Sequence, residues 1–439
     1  MVKERTAERI IVFGRYPVPG KVKTRLIPVL GRTGAAALQQ RLTEATLRTV
    51  RKFAVGSAAA TELCFEGGSK RKVHRWLGRM DLFSQQEPGD LGARMGTAFL
   101  KAFRNGCRKV VLVGTDIPDL KQVHLQEAFD GLRDNDVVIG PSTDGGYWLI
   151  GMNRSLGVFR GIEWGSGGVL HQTLRTVKSR GLKCRLLDPL RDIDTVEDLK
   201  GWVPGPVQKR PYLSVIIPTL NETISIPGTI ARARDPDAEI IVVDGGSADR
   251  TRDRAKDAGA MVIESEKGRA FQQNTGAKAA RGEIFLFLHA DTRLPSGYVD
   301  HVFETLLPKT TAAGAFRFKI DRRIPLIGAV EWMTNVRSRV FQLPYGDQAL
   351  FMKRTLFDAA GGFPGYPIAE DFYLVRRLRK HGRIRIAEAE AITSGRRWQH
   401  LGVVRTTLIN WLILAGCYLG VSPGAMAPLY RVPERAKRH

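Results

Sequence analysis

Two apolar segments of the sequence end in the same way, and this recurrence limits the folds open to the chain. Residues 110–120 (VVLVGTDIPDL) and 285–295 (FLFLHADTRLP) each place an apolar run before an aspartate, and turn residues including a proline follow. A short apolar run bounded by turn residues is typical of a buried strand. Asp116 and Asp291 are therefore each predicted to lie at the end of a strand.

A segment rich in proline and glycine divides the sequence near its middle. Residues 201–213 (GWVPGPVQKRPYL) contain three prolines and two glycines, as linkers between domains do. A chain of 439 residues also exceeds the size at which a single hydrophobic core stops growing. We therefore predict two domains, residues 1–205 and residues 206–439.

Strand and helix patterns alternate on both sides of this segment. Residues 9–14 have the pattern of a buried strand and residues 31–53 that of a helix, and the alternation restarts at 213–222 and 239–251. Such alternation predicts an α/β fold in each domain, with a mainly parallel sheet flanked by helices. Ligands of these sheets bind beyond the carboxyl ends of the strands, where both aspartates are expected to lie.

The net charge and the spacing of the cysteines limit the classes of binding partner and the cellular location that the sequence predicts. Lys and Arg number 68 against 44 Asp and Glu, a net charge of +24, which favours anionic partners such as phosphorylated substrates or lipid headgroups. There is no arginine block interleaved with aromatic residues and no zinc-finger spacing, so no nucleic-acid partner is predicted. The four cysteines form no Cys-x-x-Cys pair, and the N-terminus has no apolar core of a secretion signal. A cytoplasmic protein with reduced thiols is expected.

Polar residues follow three successive strands of the second half. An aspartate in such a position can hold Mg²⁺ or Mn²⁺ while the ion binds diphosphate oxygens, and Asp291 is the candidate metal ligand. The alternative for each aspartate is a structural role as a cap or turn former. The candidate nucleotide-binding residues at the two preceding strand ends are Pro218, Asn221, Glu222, Asp244 and Gly245.

These elements, in this order and spacing, resemble those of family 2 glycosyltransferases with the GT-A fold. The resemblance implies that Glu222 and Asp244 hold the base and ribose of a nucleotide-sugar donor, and that Asp291 binds the metal ion. It also implies that Asp371, in the Glu-Asp pair of PIAEDFYLVRRL, is the general base, and that Glu370 positions it. A single base opposite a metal-bound diphosphate suits one displacement with inversion.

Two features of this half leave other interpretations open. The family's Asp-x-Asp motif is His289-Ala-Asp291 here, which departs from the pattern at its first position and keeps a scaffold with degenerate sites as an alternative. The acids at 370 and 371 would also suit the first turn of a helix without any catalysis. The segment 395–399 (GRRWQ) resembles the Arg-Trp element of related transferases, which implies that Arg397 balances phosphate charge.

The first half has its own constellation of cations and acids. Residues 13–26 (FGRYPVPGKVKTRL) combine flexible backbone with positive charge, which suits the phosphates of a nucleotide, although the spacing is that of neither a P-loop nor a dinucleotide fingerprint. Asp116 and Asp144 are candidate metal ligands, and the helix entry at 89–95 (GDLGARM) is a further candidate phosphate contact. The candidate nucleotide-binding residues of the loop are Lys21, Lys23 and Arg25.

The first half resembles the transferase 1 family associated with radical-SAM and selenodomain proteins, and the second half resembles the companion transferase 2 family. The matching pieces of the first half are YPVPGKVKTRL, GDLG, DIPDL and DGGY. The resemblance implies a GT-A-like fold and a bifunctional fusion protein, and the loop also resembles that of nucleotidyltransferases such as phospholactate guanylyltransferase. Three roles stay open for this half: a second glycosyltransferase, a nucleotidyltransferase that supplies the donor, or a module that only binds or regulates.

Residues 406–421 (TTLINWLILAGCYLGV) form the most apolar stretch of the chain. They fall short of the ~20 residues that cross a bilayer. A buried helix of the fold is one interpretation. The other is an interfacial helix at the inner face of the cell membrane, which agrees with the positive charge and with a lipid-linked or otherwise apolar acceptor.

Overall fold

The fold is described from a computed structural model of the chain, which covers residues 6–78, 80–200 and 211–430. These residues form two compact units, one before and one after the proline- and glycine-rich segment. That segment lies largely outside the described residues, as does the domain boundary between 205 and 206, which stays a prediction.

The N-terminal unit alternates strands and helices, as predicted. Its strands are β1 (Glu8–Arg15), β2 (Ala60–Glu66), β3 (Leu82–Gln85), β4 (Lys109–Gly114), β5 (Val137–Pro141), β6 (Tyr147–Met152) and β7 (Cys184–Leu186). Its α-helices are α1 (Ile27–Gly56), α2 (Lys70–Leu77), α3 (Leu91–Arg104), α4 (Gln122–Asp134), α5 (Val169–Ser179) and α6 (Val196–Lys200). The helix predicted over 31–53 lies within α1, which bends at Gly31, where φ is 73°.

The C-terminal unit repeats the alternation and then ends in helices. Its strands are β8 (Leu213–Thr219), β9 (Ala238–Asp244), β10 (Met261–Glu264), β11 (Ile284–Phe287), β12 (Thr292–Arg293), β13 (Thr311–Ile320), β14 (Leu350–Lys353) and β15 (Arg383–Thr393). Its α-helices are α7 (Ile226–Ala233), α8 (Thr251–Asp257), α9 (Arg269–Ala279), α10 (Tyr298–Leu306), α11 (Ile327–Val340), α12 (Arg354–Ala359), α13 (Glu370–Leu378), α14 (Arg396–Leu401), α15 (Val403–Tyr418) and α16 (Pro423–Tyr430).

The two sheets share one topology over their first seven strands, and the second sheet adds β12 at its edge. Their strand orders are β3-β2-β1-β4-β6-β5-β7 and β10-β9-β8-β11-β14-β13-β15-β12. The fifth strand of each order, β6 or β14, runs antiparallel to both neighbours, and the strands before it are parallel. The predicted pair of mainly parallel α/β domains of one type is therefore confirmed.

Central parallel strands such as β8 and β11 are buried on both faces because helices cover the sheet from both sides. In β8, Val215 and Ile217 pack with α7 and α10, whereas Ile216 faces the opposite way and packs with the core beneath α9 and α13. This two-sided burial explains why the strand reads as a continuous apolar run rather than an alternating one. Polar side chains that meet a ligand are then expected at the strand ends.

The apolar stretch at 406–421 falls on α15 and the turn that follows it. Within residues 6–78, 80–200 and 211–430, no helix combines the length and the apolar character that crossing a membrane requires.

Close packing of α9 on the sheet generates a test of the fold. A Cβ atom on Gly276 would overlap Ile216 Cγ2 and lie 2.9 Å from Val243 Cγ2, so we expect Gly276→Ala to lower the free energy of unfolding by about 1–3 kcal/mol. Gly228 in α7 has open space at the same position, and Gly228→Ala should raise stability by about 0.5–1 kcal/mol. Urea denaturation followed by circular dichroism measures both, and equal midpoints for the two variants would contradict the packing.

Candidate functional site

Two loops beyond β8 and β9 bind each other and shape one side of the site. The Asn221 side chain accepts the N–H of Ala248 at 2.9 Å, and the Asn221 N–H donates to Ser247 Oγ at 2.9 Å. Asp244 is completely buried and accepts the N–H groups of Gly246 and Ser247 at 3.0 and 2.8 Å. Asn221 has a φ of 55°, a conformation that asparagine tolerates better than most residues. In this structure Asn221 and Asp244 hold the loops together.

Arg396, the first residue of α14, joins two acids that come from different strand ends. Its Nη2 donates to Glu222 Oε1 and Oε2 at 3.1 and 2.9 Å and to Asp291 Oδ2 at 3.2 Å. Partial burial opposes the charge of the guanidinium, but the two carboxylates raise the pKa of Arg396 above its ordinary value. Glu222 and Asp291 therefore converge on a single cation.

His289 stands where the metal motif of related transferases begins with an aspartate. Its Nε2 is buried and has no hydrogen-bond partner among the residues that the structure describes. Burial, followed by the charge of Arg269, lowers the pKa of His289 well below its usual range. The first position of the motif is therefore a neutral imidazole, and the carboxylate of the motif is that of Asp291.

The Glu-Asp pair opens α13, as the sequence predicts for a first helical turn. Asp371 is half-buried and its Oδ2 accepts the N–H of Gly346 at 2.7 Å. Glu370 is buried, with the Arg269 guanidinium 3.7 Å from its carboxylate. Burial raises the pKa of Glu370, Arg269 opposes this, and the charge of Asp371 adds to it. The two neighbouring acids thus have different environments.

Asp347 is a further acid of the site that the sequence analysis does not identify. It lies in a short 3-10 turn at 346–348, and its Oδ1 is buried without a hydrogen-bond partner within the described part of the chain. Burial raises the pKa of Asp347 to about 6, against the lowering effect of Arg337 and with the added effect of Asp371. The only signal in the sequence is the Gly-Asp pair of PYGDQ, which is too common to single out.

A cavity of about 610 Å³ at the carboxyl edge of the sheet collects most of these residues. Asn221, Asp244 and Gly245 are not among its lining residues and lie in the adjoining turns. Asp347, His289 and Trp398 also line it. The residues proposed from the sequence that line it are Pro218, Glu222, Asp291, Glu370, Asp371 and Arg397.

Helix α15 has one face in this cavity and another in solvent. Thr406, Asn410 and Ile413 line the cavity. The opposite side of the helix carries an exposed apolar stripe, whose members are each more than half exposed: Val404, Leu408, Trp411 and Leu412. A groove of about 50 Å³ between α11 and α15 shares Tyr345, Asp347 and Trp398 with the cavity. The cavity face agrees with the interpretation as a buried helix, while the interfacial helix stays a prediction.

In the N-terminal unit the predicted Lys23 and Asp116 meet. Lys23 Nζ lies 3.0 Å from Asp116 Oδ2 and 3.7 Å from Asp194 Oδ1, and it donates to the carbonyl of Ile193 at 2.5 Å. Only 3% of the Lys23 side chain is exposed. Arg25 pairs with Asp194 at 2.7 Å, and Lys21 is exposed. The ammonium group of Lys23 is thus saturated by the protein and holds Asp116 in place.

The remaining candidates of this unit lie around the same edge. Asp144 is exposed and accepts the N–H of Gly146 at 2.9 Å in the turn between β5 and β6. Burial, and next the charge of Asp144, raise the pKa of Asp192 to about 6. At the helix entry 89–95, Asp90 caps α3 by accepting the N–H of Ala93 at 2.7 Å. Asp192 and Asp194 belong to the segment RDIDT, which the sequence analysis does not single out.

The acids of the C-terminal cavity fit a divalent ion that arrives with a diphosphate. Among the described residues, no cluster of three or more His, Cys, Asp or Glu side chains is arranged to hold a metal ion. Mg²⁺ at phosphate sites, however, is commonly bound by one or two carboxylates, while water and substrate oxygens complete its shell. Glu222 and Asp291, which share one nitrogen of Arg396, supply two carboxylates at one point. In the N-terminal unit, Asp116 already has Lys23 as its cation.

Two family models match the chain, one in each unit. Residues 49–166 match the model described as "Uncharacterized protein conserved in bacteria (DUF2064)", and residues 214–367 match the model described as "Glycosyl transferase family 2". The first match includes Asp116 and Asp144. The second includes Glu222 and Asp291 and ends before the Glu-Asp pair of α13.

Relatives with curated descriptions and solved structures are similar to parts of the chain. PGL/p-HBAD biosynthesis glycosyltransferases of Mycobacterium tuberculosis and Mycobacterium bovis are 38% identical over 94 residues, which is 19% of this chain and 37% of theirs. The chain thus spans little more than a third of the length of these relatives. A Desulfovibrio desulfuricans protein described as a nucleotide-diphospho-sugar transferase is 38% identical, with 44% of this chain and 85% of that one covered and a TM-score of 0.42. A mannosyltransferase of Pyrobaculum calidifontis, solved with GDP-Man and Mn²⁺, is 20% identical over 50% of this chain and 73% of its own, with a TM-score of 0.36.

Proposed function

The chain joins a domain of the DUF2064 family to a domain of glycosyl transferase family 2, and on this premise we propose that the C-terminal unit is an inverting glycosyltransferase. It transfers a sugar from a nucleotide-sugar donor to an acceptor hydroxyl. One observation carries the proposal: Glu222, Asp291, Glu370 and Asp371, which come from three different segments, line a single cavity of about 610 Å³. A purely structural unit has no need to concentrate four carboxylates there.

Asp371 has the surroundings of a general base. It is half-buried beside the cavity, and the N–H of Gly346 fixes the orientation of its carboxylate. The acceptor hydroxyl gives its proton to Asp371 while its oxygen forms a bond to the anomeric carbon, and the bond from that carbon to the diphosphate breaks. The nucleoside diphosphate leaves with the bonding electrons. Glu370, buried beside Arg269, positions this end of α13 rather than exchanging the proton.

In this proposal Asp291 would hold the divalent ion, Mg²⁺ or Mn²⁺, together with Glu222, which the resemblance assigns to the base and ribose but which meets Asp291 at Arg396. The ion supplies positive charge that stabilises the departing nucleoside diphosphate. Pro218 and Glu222 border the donor, while Asn221, Asp244 and Gly245 act from the adjoining turns by fixing the loop that receives its base and ribose. Arg397 lines the same cavity, and in this proposal it faces the phosphates.

For the N-terminal unit we propose a nucleotide site at the carboxyl edge of its sheet. The shared strand order and the grouping of Asp116, Asp144 and Asp192 around one edge support it. Because Lys23 is saturated, the exposed Lys21 and Arg25 are the cations of the loop that can reach phosphates. The unit acts either as a second glycosyltransferase or as a nucleotidyltransferase that supplies the donor, with a regulatory nucleotide-binding module as the alternative.

The acceptor proposal follows from the two faces of α15. Residues 396–430 contain no acidic residue, and exposed arginines such as Arg405 and Arg339 accompany the exposed apolar stripe and Trp332 of α11. An apolar helical face with basic neighbours suits the surface of an anionic membrane. We therefore propose that the C-terminal unit docks at the cytoplasmic face of the cell membrane. An acceptor with an apolar part then reaches the cavity beside α15.

Replacement of the base tests the transferase proposal. We expect Asp371→Asn to lower kcat/KM for transfer by about 10²–10⁴-fold while donor binding stays within about twofold, because the loss falls on proton removal. Release of UDP from UDP-glucose or GDP from GDP-mannose, with octyl glucoside as acceptor, gives the rates, and calorimetry gives donor binding. Asp358→Asn, an exposed acid on α12, is the matched control. Full turnover by Asp371→Asn would place the base elsewhere.

Nucleotide titrations of the full chain test the N-terminal site. We expect Asp116→Ala to weaken the binding of one nucleotide class at least tenfold and Asp291→Ala to weaken diphosphate binding independently. UDP, GDP, UTP, CTP and GTP are titrated with Mn²⁺ and again after its removal with EDTA. A triphosphate preference that depends on Asp116 indicates nucleotidyl transfer, and a diphosphate preference indicates a second glycosyltransferase. If Asp116→Ala changes no nucleotide affinity, the proposed site is wrong.

Vesicle flotation tests the membrane surface. We expect the wild type to float with vesicles of phosphatidylglycerol and phosphatidylcholine at low salt and to bind weakly to phosphatidylcholine alone or in 1 M salt. The double variant Leu408→Glu, Leu412→Glu should lose at least tenfold in apparent affinity. Val55→Glu, at an even more exposed apolar residue of the N-terminal unit, should not. Equal flotation of all three proteins would contradict the proposal. So would a double variant whose oligomeric state changes while its lipid binding does not.

A further inference from the structure

Arg396 occupies the point between two carboxylates that a divalent ion would need. Its Nη2 lies 2.9 Å from Glu222 Oε2 and 3.2 Å from Asp291 Oδ2, the two acids proposed above as metal ligands. A divalent cation bound by both carboxylates would stand close to the present position of this nitrogen, where the two positive charges would repel strongly. Metal binding at this site therefore requires that Arg396 move.

The surroundings of Arg396 allow such a movement. Its side chain is 41% exposed, and it begins α14, a helix of only six residues. The equivalent cation of the N-terminal unit, Lys23, is held more firmly. Lys23 is 3% exposed and also binds Asp194 and a backbone carbonyl. If its ammonium group moved away from Asp116, a buried charge would lose its partner. Of the two cations on strand-end aspartates, Arg396 is the one that can exchange.

A displaced Arg396 needs a new anion, and the donor brings one. The planar guanidinium can bind phosphate oxygens with two parallel hydrogen bonds, a geometry that phosphate and carboxylate share. The neighbouring Arg397, Lys267 and Arg269 already line the same cavity, so the diphosphate of a donor would meet further cations there.

We propose that Arg396 is the exchangeable counter-ion of the donor site. In the free protein it neutralises Glu222 and Asp291, which keeps a divalent ion out. When the ion and a nucleoside diphosphate bind together, the ion takes the two carboxylates and Arg396 transfers to the diphosphate oxygens. Arg396 is thus a positioning residue that makes metal binding conditional on the nucleotide. The inference rests on the proposed glycosyltransferase function and adds the order in which its ligands bind.

Mn²⁺ binding, followed by the electron paramagnetic resonance of free Mn²⁺, tests this without turnover. For the wild type we expect weak Mn²⁺ binding alone and binding at least tenfold tighter when UDP or GDP is present. Arg396→Gln should bind Mn²⁺ at least tenfold more tightly without nucleotide. The same variant should bind the nucleoside diphosphate at least tenfold more weakly at saturating Mn²⁺. These two changes have opposite signs, which a partly unfolded site would not produce.

Arg322→Gln is the matched control. Arg322 donates to Gln399 of α14 at 2.7 Å and touches neither carboxylate, so its loss removes one positive charge and loosens the same helix without freeing the acids. Both affinities should stay within about twofold of the wild type. Arg396→Lys keeps the charge and should lie between the wild type and Arg396→Gln in both measurements.

The outcomes separate this inference from the function on which it rests. If the wild type binds UDP or GDP with Mn²⁺ but Arg396→Gln leaves Mn²⁺ affinity unchanged or lowers it, the exchange is wrong and the transferase proposal stands. Tighter Mn²⁺ with unchanged nucleotide affinity would also overturn it, because Arg396 would then only block the metal. Binding of neither Mn²⁺ nor any nucleoside diphosphate by the wild type would overturn both.

Discussion

Repulsion between carboxylates at the edge of each sheet is the constraint on which the rest of the structure depends. Parallel strands direct their carboxyl ends to one edge, so acids that follow successive strands are drawn together. The structure compensates with cations taken from distant parts of the chain. Arg396 serves Glu222 and Asp291, Arg269 approaches Glu370, and Lys23 holds Asp116. The segments that supply these cations are therefore as necessary to the site as the acids.

The acids of the C-terminal unit divide into two groups by what their oxygens bind. Asp244 is completely buried, and its carboxylate accepts backbone N–H groups of the turn that follows β9. Asp291, Asp347 and Asp371 border the cavity, and Asp347 keeps a buried oxygen without a partner within the described residues. A carboxylate saturated by backbone N–H groups shapes a loop, whereas one that faces open space can meet a ligand. The same residue type thus serves the scaffold in one place and the candidate chemistry in another.

Helix α15 links the site to the surface of the unit. Its cavity face carries Asn410 and Ile413, and its solvent face carries Leu408 and Trp411. α15 has 16 residues, and apolar side chains lie on both of its faces. One face lines the cavity and the opposite face is exposed to solvent. This explains why the stretch is the most apolar of the chain although no described helix could cross a membrane.

The sequence by itself determined the fold class, the two similar units and the positions of Asp116 and Asp291, because strand periodicity and turn residues are local signals. It also identified Glu370 and Asp371 at a helix start. Only the tertiary structure decided which acids are neutralised and by what. Arg396 is 174 residues from Glu222 along the chain, and Asp194 is 171 from Lys23, so no local pattern links them. Burial decided the rest, since the neutral state of His289 and the raised pKa of Asp347 arise from surroundings that only the folded chain creates.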